Sequence, residues 1–183
     1  RNLIMTTTTP LATGHTEVAG IKLANGKTIE GQNLVLNGAG LRTLALFKVY
    51  VAALYLGQKN NNAEDIINST APQCIELVLK RDVDAKTISS SFRDALKQNL
   101  SKDELQNLDA RLNELEGAIN NIRQIKEGDR LCIDFAGNGL TRIWFNDALK
   151  ETISGDSLSS ALLKIWLGKK PVQDNLKKAL LGA

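Results

Sequence analysis

Residues 34–56, which read LVLNGAGLRTLALFKVYVAALYL, contain a short apolar run, a break at residues 37–40, and a longer run without Gly or Pro that is rich in apolar and β-branched residues. In a β-strand, successive side chains point to opposite faces, so such a run divides into two faces. The segment Asn37-Gly38-Ala39-Gly40 interrupts the run, and glycine is favoured in tight turns. The pattern therefore predicts a short strand, a tight turn at residues 37–40, and a long strand that continues through residue 55.

One face of this long strand mixes apolar side chains with polar ones that suit ligand binding. Its members are Arg42, Leu44, Leu46, Lys48, Tyr50, Ala52 and Leu54. An arginine offers a planar fork of donors for a carboxylate or an enolate-like oxygen, and a tyrosine adds a hydroxyl donor. Apolar neighbours would hold a hydrocarbon or aromatic body. This face is therefore the candidate site.

Spacing alone leaves a second interpretation of this pair open. Arg42 and Tyr50 are eight residues apart, which is about 26 Å along an ideal strand. Both could reach one ligand atom only if the strand bends or bulges. The alternative is that Arg42 pairs with a surface carboxylate while Tyr50 simply packs, since exposed arginines and half-buried tyrosines are common.

The rest of the pattern predicts an α+β fold. Strands are expected at residues 16–23 and 28–30 around an Asn25-Gly26 hairpin, at 74–81 with one half-exposed face, at 131–135 and 141–145 around Asn138-Gly139, and at 148–153. Helical spacing predicts helices at 63–69, from 84 to 100, after a Ser101–Glu104 capping box, from 156 to 168, and from 174 to 181. Strands in runs with helices grouped together favour one antiparallel sheet covered by helices on one face.

Composition narrows the function class. The chain has 183 residues, 43% hydrophobic and 23% charged, with a formal net charge of +3, which is typical of one globular domain. We expect a flexible arm at residues 1–14 and a single domain at 15–183. Lysines crowd the C-terminal end without interleaved aromatic residues, so we expect a solvated helix face and no nucleic-acid partner. No apolar run is long enough to predict a transmembrane segment.

Chemical motifs are scarce. The chain has one histidine, His15, and lacks phosphate-loop, nucleophile-elbow and metal-cluster patterns, so no cofactor or metal is expected. Cys74 and Cys132 alternate with apolar residues in predicted strands, which favours buried free thiols. A disulfide between them would require adjacent strands in an oxidising compartment.

Several segments together resemble the chalcone isomerase family, especially its bacterial, non-catalytic chalcone isomerase-like members. They are NGAGLR followed by FKVYVAALYL, then LVLKRDVDA, and ALLKIWLGKKPVQDNLKKALLG near the end. The resemblance covers residues 17–182 and implies a large antiparallel sheet packed against a helical layer, with a ligand cleft between them. Active plant members close a chalcone to a flavanone without a cofactor, and inactive relatives bind fatty acids through an arginine and a tyrosine.

The resemblance also assigns roles to individual residues. Arg42 matches the arginine that holds an oxyanion or a carboxylate, and Tyr50 matches the tyrosine of the fatty-acid binders. The isomerases' helix tyrosine, helix asparagine and late-helix Ser/Thr fall at Ile88, Ala95 and Ile165. A slip of register would bring Ser89 or Ser90 into the cleft instead. Three polar catalytic positions are thus apolar, and losing one such donor typically costs about a hundredfold in rate.

These observations predict a non-catalytic protein that binds a fatty-acid-like or other amphipathic carboxylic acid. Arg42 and Tyr50 would hold the head group, and Leu44, Leu46, Ala52 and Trp166 would line the tail. One alternative is a cofactor-independent isomerase or lyase acting on a phenolic or enone substrate, with Arg42 as electrophile. Another is an interaction module whose cleft is closed by Trp166 and leucines.

Localisation is also an expectation drawn from the resemblance, because bacterial members commonly carry export signals. The sequence starts at Arg1 rather than Met and continues with a threonine-rich polar segment. We expect a processed periplasmic or secreted protein, with a cytoplasmic location as the alternative.

Overall fold

The computed structural model describes residues 10–182. Its eleven strands there are β1 (His15–Val18), β2 (Ile21–Ala24), β3 (Gly26–Ile29), β4 (Gln32–Leu44), β5 (Phe47–Leu56), β6 (Gln73–Leu79), β7 (Val83–Asp84), β8 (Gln124–Ile125), β9 (Arg130–Phe135), β10 (Leu140–Phe145) and β11 (Ala148–Ser154). The helices are α1 (Ala63–Asn68), α2 (Ala85–Asn99), α3 (Lys102–Asn120), α4 (Leu158–Leu167) and α5 (Asp174–Leu180). The predicted arm falls largely outside the described residues, and residues 10–14 carry no strand or helix.

Seven strands form one antiparallel sheet in the order β11-β10-β9-β6-β5-β4-β3. The sheet is strongly curled. Its curl is seen from side chains of non-neighbouring strands, which contact each other across the inner face. Lys27 Nζ on β3 lies 3.8 Å from Asp134 Oδ1 on β9, and Arg142 on β10 pairs with Glu30 at the β3–β4 turn. The predicted antiparallel sheet is confirmed, and its curl makes it a half-barrel.

Each face of the half-barrel has its own hydrophobic layer. The five helices pack on the outer face against alternate residues of β5, β6 and β9, including Tyr50, Ala52 and Leu54. The β1–β2 hairpin contributes Leu23 to a smaller inner layer. Because both faces are covered, every residue of β6 is buried, and the prediction of a half-exposed strand there is wrong. Glu76 on β6 is compensated by Arg130, whose Nη1 lies 3.0 Å from Glu76 Oε1.

The tight turn predicted at residues 37–40 is wrong. Strand β4 runs straight through them with a small register shift between Leu36 and Gly38, and the hairpin reverses at Ala45 and Leu46 instead. Gly38 and Gly40 serve close packing rather than a turn. A Cβ at Gly38 would lie 2.1 Å from the carbonyl oxygen of Ala179 in α5. Gly38 and Gly40 are therefore required by the close approach of α5 to β4, and not by a turn.

The predicted hairpin at Asn25-Gly26 is also wrong. Reversals occur at Ala19-Gly20 and Glu30-Gly31, where both residues of each pair have positive φ. Asn25 instead joins β2 to β3 and binds the preceding segment through its side chain, donating to the Thr13 carbonyl at 3.1 Å. The hairpin at residues 138–139 is confirmed, since β9 and β10 pair on either side of it.

The helices follow their sequence signals closely. Asn62 caps α1 by accepting from the Asp65 amide at 3.0 Å, and Ser101 and Glu104 form the predicted capping box at the start of α3. The starts of α4 and α5 each differ by one residue, because Ser157 and Gln173 occupy the N-cap positions. Helix ends predicted from capping residues were thus more accurate than turns predicted from glycines.

We predict that Gly38→Ala destabilises the protein, because the added methyl would overlap backbone atoms of α5. The expected loss is about 1–3 kcal/mol in the free energy of unfolding, as for other overpacked sites. Chemical denaturation measures it.

Gly117→Ala is the matched control. Gly117 lies in α3 and a Cβ there meets nothing within 4 Å, so alanine should leave stability unchanged or raise it by about 0.5–1 kcal/mol. A Gly38→Ala protein as stable as wild type would contradict the close packing of α5 on β4.

Candidate functional site

The candidate site is a cavity of about 390 Å³ between α2, the β4–β5 hairpin and the segment that joins α4 to α5. We call it the α2 cavity. Its buried floor consists of Tyr50, Ile88, Phe92, Ala95 and Ile165. Its exposed rim carries Leu44, Thr87, Ser91, Asp94, Gln98 and Lys170. An apolar floor with a polar rim is the usual construction of a small-molecule site, and the volume lies within the usual range of roughly 300–1,000 Å³.

Arg42 and Tyr50 come together because the hairpin folds them opposite each other. With the reversal at residues 45–46, Arg42 on β4 and Tyr50 on β5 become cross-strand partners in register. The expected separation of about 26 Å assumed one continuous strand and is wrong. Both residues line the α2 cavity, so the pairing that the sequence left open is provided by the hairpin.

Tyr50 is held from behind by Trp166. The indole Nε1–H of Trp166 donates to the Tyr50 hydroxyl oxygen at 3.0 Å, and an indole nitrogen can only donate. The hydroxyl proton of Tyr50 therefore points elsewhere and is left to donate. Trp166 is fully buried and packs edge-to-face on Phe92 with ring centroids 5.4 Å apart. It supports the floor from beneath and is not itself a lining residue.

Burial raises the pKa of the Tyr50 hydroxyl above its ordinary value. The hydrogen bond from Trp166 and the positive charge of Arg42 favour the phenolate and oppose part of this shift. The net direction is upward, so Tyr50 is a neutral hydroxyl donor at physiological pH.

Arg42 is half-buried at the cavity wall and is positioned by Gln173, a residue that the sequence did not single out. Arg42 Nη1 donates to the Thr43 carbonyl at 2.9 Å and to Gln173 Oε1 at 3.3 Å. Gln173 also accepts from the Thr43 amide at 2.9 Å and donates to the Leu41 carbonyl at 2.9 Å. Among residues 10–182, Arg42 forms no ion pair with a carboxylate.

The three positions expected to be polar in an isomerase lie together on the floor. Ile88 and Ala95 come from α2 and Ile165 from α4, and all three are buried. Ser89 faces α3 instead, donating to Asn120 Oδ1 at 2.6 Å, and Ser90 is exposed without lining the cavity. Ile88, and not Ser89 or Ser90, therefore faces the α2 cavity.

The other predicted site residues separate into two groups. Leu44 lines the rim. Ala52 is fully buried in the layer beneath the helices and does not line the α2 cavity. Leu46 is 98% exposed at the hairpin tip, and Lys48 is exposed beside it. Neither of these two belongs to the cavity wall. The sequence pattern predicted one continuous strand, with Leu46 and Lys48 on the same face as Arg42, and did not predict the reversal at residues 45–46.

Comparison with known proteins identifies the family of the chain and a solved structure of similar fold. A profile of the family described as chalcone isomerase-like matches residues 15–182. The chain belongs to the chalcone isomerase-like family. Among solved structures, an Arabidopsis thaliana fatty-acid binding protein (AtFAP1) has a similar fold, with a TM-score of 0.72 and 14% sequence identity over 88% of this chain and 92% of that one. No curated protein sequence matches the chain significantly.

A second, larger depression of about 580 Å³ lies elsewhere on this chalcone isomerase-like domain, between α1, the end of α2 and the end of α4. Its lining is mainly polar and includes Lys164, Lys169, Lys170 and Lys177. We call it the lysine hollow. It shares Gln98 and Lys170 with the rim of the α2 cavity. Its apolar lining is limited to Ala63, Ile67 and Leu167, which makes it the weaker candidate for an amphipathic ligand.

The inside of the half-barrel holds a charged cluster that has no access to the α2 cavity. Lys27 Nζ contacts Cys74 Sγ at 3.3 Å. Burial alone would lower the pKa of Lys27, but the acidic groups around it, Cys74, Cys132, Asp134 and Glu76, raise it, and the net direction is upward. Burial also raises the pKa of the Cys74 thiol, so the thiol is protonated at neutral pH and the carboxylates supply the negative charge.

Both cysteines are buried and free, as expected. Their strands are neighbours, with Cys74 opposite Asp134 and Cys132 opposite Glu76. Within residues 10–182, no group of three or more His, Cys, Asp or Glu side chains is arranged to bind a metal ion. No helix in the same range is long and apolar enough to cross a bilayer.

We predict that folding protects the tyrosines from ionisation. Tyr50 and Tyr55 are the only two in the sequence, and burial raises the pKa of both hydroxyls. Above pH 10 the unfolded chain therefore loses protons that the folded chain keeps, so the free energy of unfolding falls as pH rises through this range. Below pH 10 this contribution to stability is fully present.

Phenolate absorbance during an alkaline titration measures this. In denaturant both tyrosines should titrate near pH 10, and in the folded protein both should titrate later. Tyr50→Phe identifies the contribution of each residue. Ionisation of Tyr50 near pH 10 in the folded protein would contradict its burial behind Arg42.

Proposed function

We propose that this protein is a non-catalytic binding protein for an amphipathic carboxylic acid of the fatty-acid type, held in the α2 cavity. The observation that carries the proposal is Arg42, a half-buried cation at an apolar cavity without a carboxylate partner among the described residues. A carboxylate that approaches this guanidinium would form charge-assisted hydrogen bonds with it.

Two donors converge on the head group in this arrangement. Arg42 supplies a charge-assisted hydrogen bond, and Tyr50 supplies its free hydroxyl proton. Trp166 fixes the orientation of Tyr50, and Gln173 fixes that of Arg42. The donors are thus organised before the ligand arrives, which lowers the entropic cost of binding.

The apolar floor suits the hydrocarbon part of the ligand and supports binding without turnover. Ile88, Ala95 and Ile165 occupy the positions where the isomerases carry polar catalytic groups, and these aliphatic side chains can neither donate nor accept a proton. The structural likeness to a protein named as a fatty-acid binding protein points in the same direction. Turnover of a chalcone, abolished by Arg42→Ala, would support the isomerase alternative instead.

We predict that Arg42→Ala weakens binding of a medium-chain fatty acid by about tenfold to a hundredfold, since a hydrogen bond to a charged group contributes roughly 1.5–3 kcal/mol. The loss should be much smaller for the alcohol of the same chain length, because its head group carries no charge. Isothermal titration calorimetry on both ligands separates head-group from tail recognition.

Arg111→Ala is the matched control. Arg111 is also half-buried and also donates to a backbone carbonyl, that of Ser154 at 2.8 Å, but it does not line the α2 cavity. It should bind the acid like wild type. Equal acid affinity in wild type and Arg42→Ala would refute the assignment of the head-group site.

A substitution that fills the cavity locates the tail. We predict that Ala95→Phe abolishes binding of both the acid and the alcohol, because the ring would occupy the floor where Ala95 now leaves space. Thermal unfolding with and without ligand reports binding and confirms that the variant folds.

Lys169→Ala distinguishes the two depressions in the same assay. Lys169 lines the lysine hollow and not the α2 cavity, so this variant should bind normally. Loss of binding in Lys169→Ala together with normal binding in Ala95→Phe would place the ligand in the lysine hollow and would overturn the proposed site.

A further inference from the structure

The tip of the β4–β5 hairpin, residues 44–47, is the most exposed apolar feature of the described chain. Leu46 is 98% exposed, Leu44 61% and Phe47 56%. Exposed leucines are common one at a time, but three large apolar side chains on one protruding turn are not. The tip therefore presents an apolar surface to its surroundings.

Folding does not require apolar residues at this turn. Two-residue hairpin loops favour glycine, asparagine or aspartate because these residues adopt positive φ most easily. The reversals at Ala19-Gly20, Glu30-Gly31 and Asn146-Asp147 include such residues. Ala45, by contrast, has a φ of 53°, and Leu46 follows it. The sequence Ala-Leu at this turn thus runs against local preference and indicates another constraint on it.

Two basic side chains flank the tip. Lys48 is exposed next to it, and the Arg81 guanidinium lies 4.2 Å from the centre of the Phe47 ring. Among the residues that line the α2 cavity, the cations Arg42 and Lys170 outnumber the single carboxylate, Asp94. The neighbouring Asp82 carboxylate accepts a hydrogen bond from the Glu127 amide at 2.8 Å. An apolar tip flanked by Lys48 and Arg81 is complementary to an anionic lipid surface.

The tip is also part of the cavity entrance. Leu44 belongs both to the tip and to the rim of the α2 cavity, where it lies with Arg42 and Lys170. A surface that contacts the tip would consequently face the opening through which a ligand enters.

We propose that the β4–β5 hairpin tip inserts into the interfacial region of an anionic lipid bilayer, with Leu46 and Phe47 among the acyl chains and Lys48 and Arg81 at the head groups. This inference rests on the proposed function, because a bilayer is where an amphipathic acid resides. Docking brings the cavity entrance to the membrane, so the acid passes between bilayer and cavity without crossing water.

A bilayer suits the tip better than a protein surface does. A stable protein interface buries about 800 Å² on each partner, whereas the exposed apolar residues here are confined to one four-residue protrusion. Membrane insertion needs only a few apolar side chains and adjacent cations, since the lipid closes around them. A second copy of the chain would have to offer a matching pocket.

Sedimentation with sucrose-loaded vesicles tests the proposal. Vesicles of phosphatidylglycerol and phosphatidylcholine should bind the wild-type protein, and pure phosphatidylcholine vesicles should bind it more weakly by about fivefold for each basic residue engaged. Leu46→Asp should reduce binding to the anionic vesicles at least about tenfold. Leu149→Asp is the matched control, since Leu149 is 47% exposed on β11, the opposite edge strand of the sheet, and it should bind like wild type.

A fluorescent probe reports insertion directly. Leu46→Cys can be labelled selectively with an environment-sensitive fluorophore, because Cys74 and Cys132 are buried. Emission should shift to the blue when anionic vesicles are added, whereas the same label on Leu149→Cys should not shift.

Measurement of acid binding without vesicles separates this inference from the proposed function. Leu46→Asp should bind the acid normally, because Leu46 does not line the cavity. If the wild-type protein binds the acid normally but does not bind vesicles, membrane docking is overturned and the proposed function stands. Vesicle binding with no acid binding would refute the function alone. Self-association that Leu46→Asp abolishes, without vesicle binding, would identify a second copy as the occupant and would overturn the proposal.

Discussion

The backbone of α5 lies directly on β4, and the site depends on this contact. A Cβ at Gly38 would lie 2.1 Å from the Ala179 carbonyl oxygen, and one at Gly40 would lie 2.9 Å from the Ala179 Cβ. Because no side chain separates strand from helix, the start of α5 comes close enough for Gln173 to bind both backbone and side chain at residues 41–43. Gly38 and Gly40, which the sequence suggested as turn residues, thus allow the contact through which Gln173 positions Arg42.

The two sides of the sheet have different physical roles. On the outer face, Trp166 supports Tyr50 and packs on Phe92, and the cavity there has an apolar floor. On the inner face, Lys27 and its carboxylate and thiol neighbours stabilise the curl by connecting β3 with β6 and β9. The ionisable groups of the inner face are buried behind the sheet. This cluster connects strands of the sheet and contributes no side chain to the α2 cavity.

The helices, the antiparallel sheet and many core residues could be predicted from the sequence, because caps and periodicity are local signals. Ser101 with Glu104, and the spacing of Ile88 and Phe92, located α3 and α2 correctly. The hairpin at residues 45–46 could not be predicted, since Ala and Leu carry no turn signal. Arg42 and Tyr50 were identified, but their pairing across strands was not, because register depends on where the chain reverses. Gln173 was missed since its role comes from a contact between residues 131 positions apart.

That long separation has a consequence for the order in which the protein acquires its properties. Arg42 emerges early from the ribosome, whereas Gln173 and α5 follow about 130 residues later. Contacts between distant segments form late, because the intervening chain must first be ordered. During synthesis β4 therefore lacks the helix that packs on Gly38 and Gly40, and the arginine is not yet held in place. The α2 cavity is therefore complete only when α5 docks.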